Sequence, residues 1–241
     1  MWDASQGKGV IMKLWVLLLM GLLLFAFFVI ARRWHDFSML FTIAIGFAVN
    51  ANIYNGITMP VYLGNIKFSI DSILYTGFTF TVIICAYEYG VRKAKILTSS
   101  TIAAVLLSAV IEFLAHLSSN GYSDAILINL FGYFSSSVGT VVGVWIALAL
   151  YEKIKDCMNL YLLVTILVLV ISIFNSAFYH AYYLFATGNV DGFGYIVLGS
   201  YLGKFYAIIL GLLGFYINRH YWIPLDLMDK YKPNVKTDIE G

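Results

Sequence analysis

Apolar positions along this chain gather into seven long runs, at approximately 14–31, 37–54, 69–88, 96–117, 125–151, 159–186 and 195–218. An α-helix needs about 20 largely apolar residues to cross the hydrocarbon core of a bilayer, and each run is close to that length or longer. The polar segments between them are short: "RRWHD", "NGITMPVYLGNIKF", "YGVRKAK", "LSSNGYSD", "EKIKDCMN" and "TGNVDGFG". Gly and Asn mark several of these as turns. The pattern predicts an all-α integral membrane protein, a polytopic bundle of seven transmembrane helices forming one domain over 1–241.

Composition agrees. The chain is 61% hydrophobic and 12% charged, with a mean hydropathy of +0.84, where soluble domains carry about 25% charged residues. The basic residues supply an orientation. Arg32 and Arg33 follow the first span, and Arg92, Lys93 and Lys95 follow the third. Lys153 and Lys155 follow the fifth, and Arg219, Lys230, Lys232 and Lys236 follow the seventh. Only Lys8, Lys13 and Lys67 fall on the opposite side. The excess of cytoplasmic Lys and Arg in membrane proteins therefore predicts an external N-terminus and a cytoplasmic C-terminus. The run at 14–31 is too long for a signal peptide, and arginines rather than a small-residue cleavage site end it.

Against this apolar background a few polar residues stand out. Lys204 lies nine residues after Tyr195, roughly 14 Å along its helix and close to the midplane. Glu112 and His116 sit toward the outer end of the fourth span and, four apart, share one helix face. Asn175 and His180 lie in the outer half of the sixth, and Asp71 near the entrance of the third. Asn50 and Asn52 end the second. Ionisable groups at such depth face a bundle interior or a cavity, so these residues predict a polar chamber open to the outside. Glu112, by its depth, is the expected counter-charge of Lys204.

Helical spacing aligns the rest. Ser172, Asn175, Ser176 and Tyr179 form one stripe on the sixth span; Ser200, Tyr201 and Lys204 lie one turn apart on the seventh. In "GYFSSSVGTVVG", Gly132, Ser135, Ser136, Gly139, Thr140 and Gly143 read as small residues for close helix contact rather than as ligand contacts. Glu88, beside the basic loop, reads as an interfacial ion-pair partner, and the tyrosines as an interfacial belt or helix packing. Asp71 and His116 read equally well as interfacial residues. No Walker loop, HExxH, GxSxG or kinase motif is present. Cys85 and Cys157 have no paired spacing, so they suggest neither a disulfide framework nor a metal site. The expectation is a protein that is not an enzyme, needs no cofactor or metal and binds no nucleic acid polymer.

Several segments, in order, resemble the vitamin-uptake-like family of queuosine precursor transporters. "TFTVIICAYEYGVRKAKIL" resembles that family's helix that ends in a Tyr-Gly turn and a basic run, and "AVNANIYNGI" its asparagine-bearing helix end. "YFSSSVGTVVGVWIALALYEKIK", "SIFNSAFYHAYYLF" and "SYLGKFYAIILGLLGFYIN" are similar to later helices, the last carrying a lysine shortly after an aromatic residue. The resemblance implies a six-helix core over 37–219, an added helix at 14–31 and a short cytoplasmic tail at 220–241. It points to Asn52, Asn175 and Lys204 as binding residues and to Tyr89 and Gly90 as a structural turn. It further implies uptake of a 7-deazaguanine precursor across a prokaryotic inner membrane without an ATPase. Where the family carries acidic residues in three of its helices, this chain reads "TVIICAYE", "GTVVGVW" and "FNSAFYH".

The sequence thus leads to a secondary transporter for a small polar heterocycle. Asn52, Glu112, Asn175, His180, Tyr201 and Lys204 would line its cavity. Glu112 or His180 would be the protonatable groups if uptake is coupled to protons. Partners are the small-molecule substrate, the lipid bilayer, and either further copies of the chain or energy-coupling subunits. The main alternative is the substrate-binding subunit of an energy-coupling-factor vitamin importer, which would use the small-residue face of the fifth span for docking. A seven-helix retinal protein with Lys204 as the Schiff-base lysine, and a membrane sensor, are the remaining classes.

Overall fold

The computed structural model describes residues 37–57, 61–63, 66–68, 70–120, 124–188 and 193–221, with isolated residues 19, 22 and 26. Six helices follow one another: α1 (Phe37–Ile57), α2 (Ile70–Tyr89), α3 (Val91–Asn120), α4 (Asp124–Ile154), α5 (Leu160–Thr187) and α6 (Phe193–Tyr221). They coincide, to within a turn or so at each end, with six of the predicted runs. Most of the run at 14–31, and with it the seventh helix and the placement of the termini, lies outside the described residues, as does the tail beyond 221. Four of the described helices, α3 to α6, contain segments long and apolar enough to cross a membrane. The architecture is that of a helical membrane protein.

One element departs from an all-α chain. Strands β1 (Val61–Leu63) and β2 (Ile66–Phe68) form an antiparallel hairpin, with Val61 opposite Phe68 and Leu63 opposite Ile66. Its strands are rich in β-branched and aromatic residues, and the two residues between them, Gly64 and Asn65, are types that two-residue hairpin connections favour. The hairpin connects α1 to α2, and β2 lies against α6.

α2 is the axis of the bundle. Every residue from Ser72 to Ala86 is buried, and the helix contacts each of the other five. A helix enclosed on all sides meets protein rather than lipid, so it can carry hydroxyls provided each finds an acceptor. Thr76 donates to the Ser72 carbonyl at 2.7 Å, Thr79 to Thr76 at 2.8 Å and Thr81 to Gly77 at 2.9 Å. The outer helices show the opposite pattern: Leu107, Ile111 and Leu114 on α3, and Trp145 and Ile146 on α4, are exposed. These apolar faces are the surface offered to hydrocarbon.

Local signals set the breaks. α2 passes into α3 through Gly90 alone, at φ +88°, a backbone conformation open to glycine and strained for residues with a Cβ. Its N–H closes α2 on the Ala86 carbonyl, and its own carbonyl accepts from Ala94 to open α3. α5 starts at Asn159, whose side chain accepts from the Tyr161 N–H, and stops at Gly188, at φ +61°. At the basic end Lys93 lies over the rings of Phe37 and Tyr89, 5.5 and 5.3 Å from their centroids, tying α1, α2 and α3 together.

Three glycines, at two helix pairs, fix the helix spacing around the centre. On α4, a Cβ at Gly139 would meet Phe178 Cβ at 2.7 Å and the Phe174 carbonyl at 2.8 Å, and one at Gly143 would meet Ile171 Cα at 3.0 Å. Partners that fall as α4 numbers rise make α4 and α5 antiparallel, and the absent side chains let the backbones meet. On α6, Gly211 seats the ring of Phe80, which a Cβ would meet at 2.9 Å, while Ser200 lies 3.3 Å from Ser72. Here both numbers rise together, so α2 and α6 are parallel.

Gly139→Ala is expected to destabilise the detergent-solubilised protein by about 1–3 kcal/mol, the usual cost of overpacking. Gly46→Ala, where nothing lies within 4 Å of the added carbon, should hold or raise the midpoint because glycine in a helix interior is unfavourable. Thermal melts of the two variants side by side measure this; equal midpoints would mean that α4 and α5 are not in close contact.

Candidate functional site

Lys204 is the deepest charge among the described residues of the bundle. It is 4% exposed and lies eleven residues into α6, roughly 16 Å from that helix's start. A buried ammonium has three protons to place and no acceptor of its own. Lys204 Nζ donates to Asn175 Oδ1 at 3.0 Å, to Ser176 Oγ at 2.5 Å and to the Ser172 carbonyl at 3.3 Å. These three acceptors, among the described residues, sit on α5, on the polar stripe that helical spacing brings to one face.

Asn175 carries the network onward. Its Nδ2 donates to Ser136 Oγ at 2.6 Å, to the Ser136 carbonyl at 3.2 Å and to Thr140 Oγ1 at 3.1 Å, all on α4. The amide has only one workable orientation. Lys204 can only donate, so it must face the carbonyl oxygen; the Ser136 backbone carbonyl can only accept, so it must face the NH2. Thr140 in turn donates to the Ser136 carbonyl at 2.8 Å, which leaves its lone pairs to accept from Asn175 and from the hydroxyl of Tyr75 on α2. The result is one directed chain of hydrogen bonds across four helices, from Lys204 through Asn175 and Thr140 to Tyr75.

The structure sorts the predicted site residues. Asn175 and Lys204 are bonded directly. His180 is buried on α5 one turn beyond Ser176, with its ring edge-to-face to Tyr179 at 5.4 Å. Tyr201 is half-buried, about one turn before Lys204. Asn52 belongs to α1, but its side chain, like that of Asp71, lies outside the described residues.

Glu112 is not the partner of Lys204. The described acceptors of the ammonium are the neutral oxygens on α5, and Glu112 Oε2 is buried with no hydrogen-bond partner among the described residues. The physical reason is the packing order: α3, which bears Glu112, packs on α1, α2 and α4, whereas α5 packs on α6. Depth along a helix does not tell which helix stands opposite.

The small residues of α4 divide between two roles. Gly139 and Gly143 are packing positions, as expected, and their contacts are spent on α5 within the chain. Ser136 and Thr140, expected to pack, instead accept from Asn175. Tyr75 was missed altogether, although Ser72, Tyr75, Thr76 and Thr79 form a polar stripe at helical spacing in an otherwise apolar run.

Asn175→Leu takes away an acceptor from a buried ammonium and a donor from α4; it should cost about 1–3 kcal/mol. Lys204→Met removes the charge together with its need for acceptors, so it should cost less. In the double variant the two losses should sum to clearly less than the total of the singles. Chemical denaturation in mixed micelles measures this, and strict additivity would mean that the two side chains do not interact.

No protein-family model, curated protein or solved structure matches the chain.

Proposed function

We propose that this protein is a membrane transporter that takes up a small polar heterocycle, with the Lys204–Asn175 cluster as its binding centre. The observation that carries this reading is the buried polar network itself. Lys204, Asn175, Ser136, Thr140 and Tyr75 come from four helices and meet inside an apolar bundle. Polar and ionisable groups at such depth are costly, and in membrane proteins they mark substrate or ion pathways. An ammonium beside a primary amide offers what a nitrogen heterocycle needs: hydrogen-bonding groups of both polarities, close together. Tyr201 and His180, on the two helices that carry the pair, supply flat rings suited to stacking on the ligand face.

The resemblance of five segments to queuosine precursor transporters gives the ligand its class, a 7-deazaguanine. Arg92, Lys93 and Lys95 at the joint between α2 and α3, with Lys153 and Lys155 at the end of α4, support a cytoplasmic assignment for that side; the resemblance gives the direction, inward across a prokaryotic inner membrane. On the alternative reading, an energy-coupling subunit would dock on the small-residue face of α4. Gly139 and Gly143 are covered by α5, which favours a chain that works without such a partner.

The purified chain in liposomes should accumulate 7-deazaguanine, and Lys204→Met should lose at least ~90% of that uptake while reaching the membrane at the wild-type level, since each lost 1.4 kcal/mol of binding is tenfold. Wild-type uptake by Lys204→Met would remove Lys204 from the site. An inactive chain that co-purifies with ATPase subunits would instead favour the importer-subunit reading.

A further inference from the structure

The bond between Lys204 and Asn175 constrains what a ligand at this centre must look like. In the structure the two groups satisfy each other: Nζ donates to Oδ1 at 3.0 Å. The amide end is the fixed member, held from α4 by three acceptors at 2.6 to 3.2 Å. The ammonium is held from α5 by Ser176 Oγ at 2.5 Å and by the Ser172 carbonyl at 3.3 Å as well, so loss of Asn175 Oδ1 leaves one of its protons to be placed. A molecule that enters between them breaks one N–H···O bond and must replace both halves. It must offer an acceptor to Lys204, which can only donate. It must also offer a donor to Asn175 Oδ1, because the Ser136 carbonyl prevents the amide from turning its NH2 inward. The groups left unsatisfied otherwise are buried, Lys204 at 4% and Asn175 at 6% exposure, where a missing partner costs far more than a made one gains.

We infer that the Lys204–Asn175 pair reads one ligand edge, an acceptor adjacent to an N–H donor, and exchanges its internal hydrogen bond for that edge. A cyclic cis-amide, a lactam, is the simplest group that carries it. Asn175 is then the specificity-determining residue, and Lys204 supplies the donor that meets the ligand's acceptor. This rests on the transporter reading above but goes beyond it: ligands are excluded by the polarity of one edge, not by ring size. Carboxylates, which lack the donor, and N-alkylated lactams, which block it, are rejected. Ser136 and Thr140 act as positioning residues, since they set the direction of the Asn175 amide.

The test compares binding of 7-deazaguanine, its N1-methyl derivative and the monocyclic lactam 2-pyridone to the full-length purified chain by calorimetry. 7-Deazaguanine should bind. N1-methylation should weaken it about 100-fold or more, because sites built around a buried hydrogen bond discriminate strongly against analogues that cannot make it. 2-Pyridone should compete, weakly but measurably. In Asn175→Leu the penalty for N1-methylation should vanish. Should that variant fail to fold, Asn175→Asp serves: its carboxylate meets Lys204 as an ion pair and binding of both lactams should be lost. Wild-type discrimination in Asn175→Leu, or undiminished binding in Asn175→Asp, overturns the inference. So does tight binding of the N1-methyl derivative by the unaltered chain, a result that leaves uptake of 7-deazaguanine in liposomes, and hence the transporter reading, standing. Binding of no lactam together with uptake of none overturns both.

Discussion

A primary amide in the middle of a helix bundle has to be satisfied at both ends, and Asn175 meets that requirement by standing between a group that can only donate and one that can only accept. Lys204 takes the oxygen and the Ser136 carbonyl takes the nitrogen. With lipid around the bundle there is no water to repair a mismatch, so the arrangement of four helices is tied to this one side chain. α4 must come close enough for Ser136 and Thr140 to reach it, and Gly139 and Gly143 allow that approach by leaving out the side chains that would hold the backbones apart. α6 must present Lys204 to α5 while lying along α2, and Gly211 gives Phe80 the room for that. Close packing and polar satisfaction are thus two parts of one constraint.

The same logic explains the uneven hydropathy of the helices. α2 is enclosed by protein, and its threonines return their protons to carbonyls of their own helix. It needs little lipid-compatible surface and shows moderate apolarity. α3 and α4 face outward with exposed leucine, isoleucine and tryptophan. Exposed apolar faces and buried hydroxyls reverse the pattern of a soluble fold.

Much of the fold was legible in the residues. Run lengths placed the six described helices, and the Gly- and Asn-bearing segments between them marked several of the turns, Gly90 between α2 and α3 among them. The stripe Ser172–Asn175–Ser176 announced the inner face of α5, and Lys204 announced the site. What the sequence left open was adjacency. Glu112 and Asn175 are both polar residues within spans, but only the packing order of the helices decides which one meets Lys204. Side-chain size misled in a second way, because Ser136 and Thr140 are small enough to pack and polar enough to accept, and sequence spacing alone does not separate these roles. Tyr75 was overlooked because a tyrosine in a membrane helix is more often read as an interfacial anchor.

Lys204 stands on the last of the described helices, and three of its acceptors stand on the helix before it. During synthesis α5 is therefore complete before α6 emerges. A lysine near the middle of an isolated helix opposes insertion by a few kcal/mol, yet when this one arrives its acceptors have already been made. The order of helices along the chain lets the most costly residue enter the membrane last, next to the helix that receives it. A circular permutation that placed α6 ahead of α5 would keep every contact of the finished bundle and still deprive Lys204 of that reception.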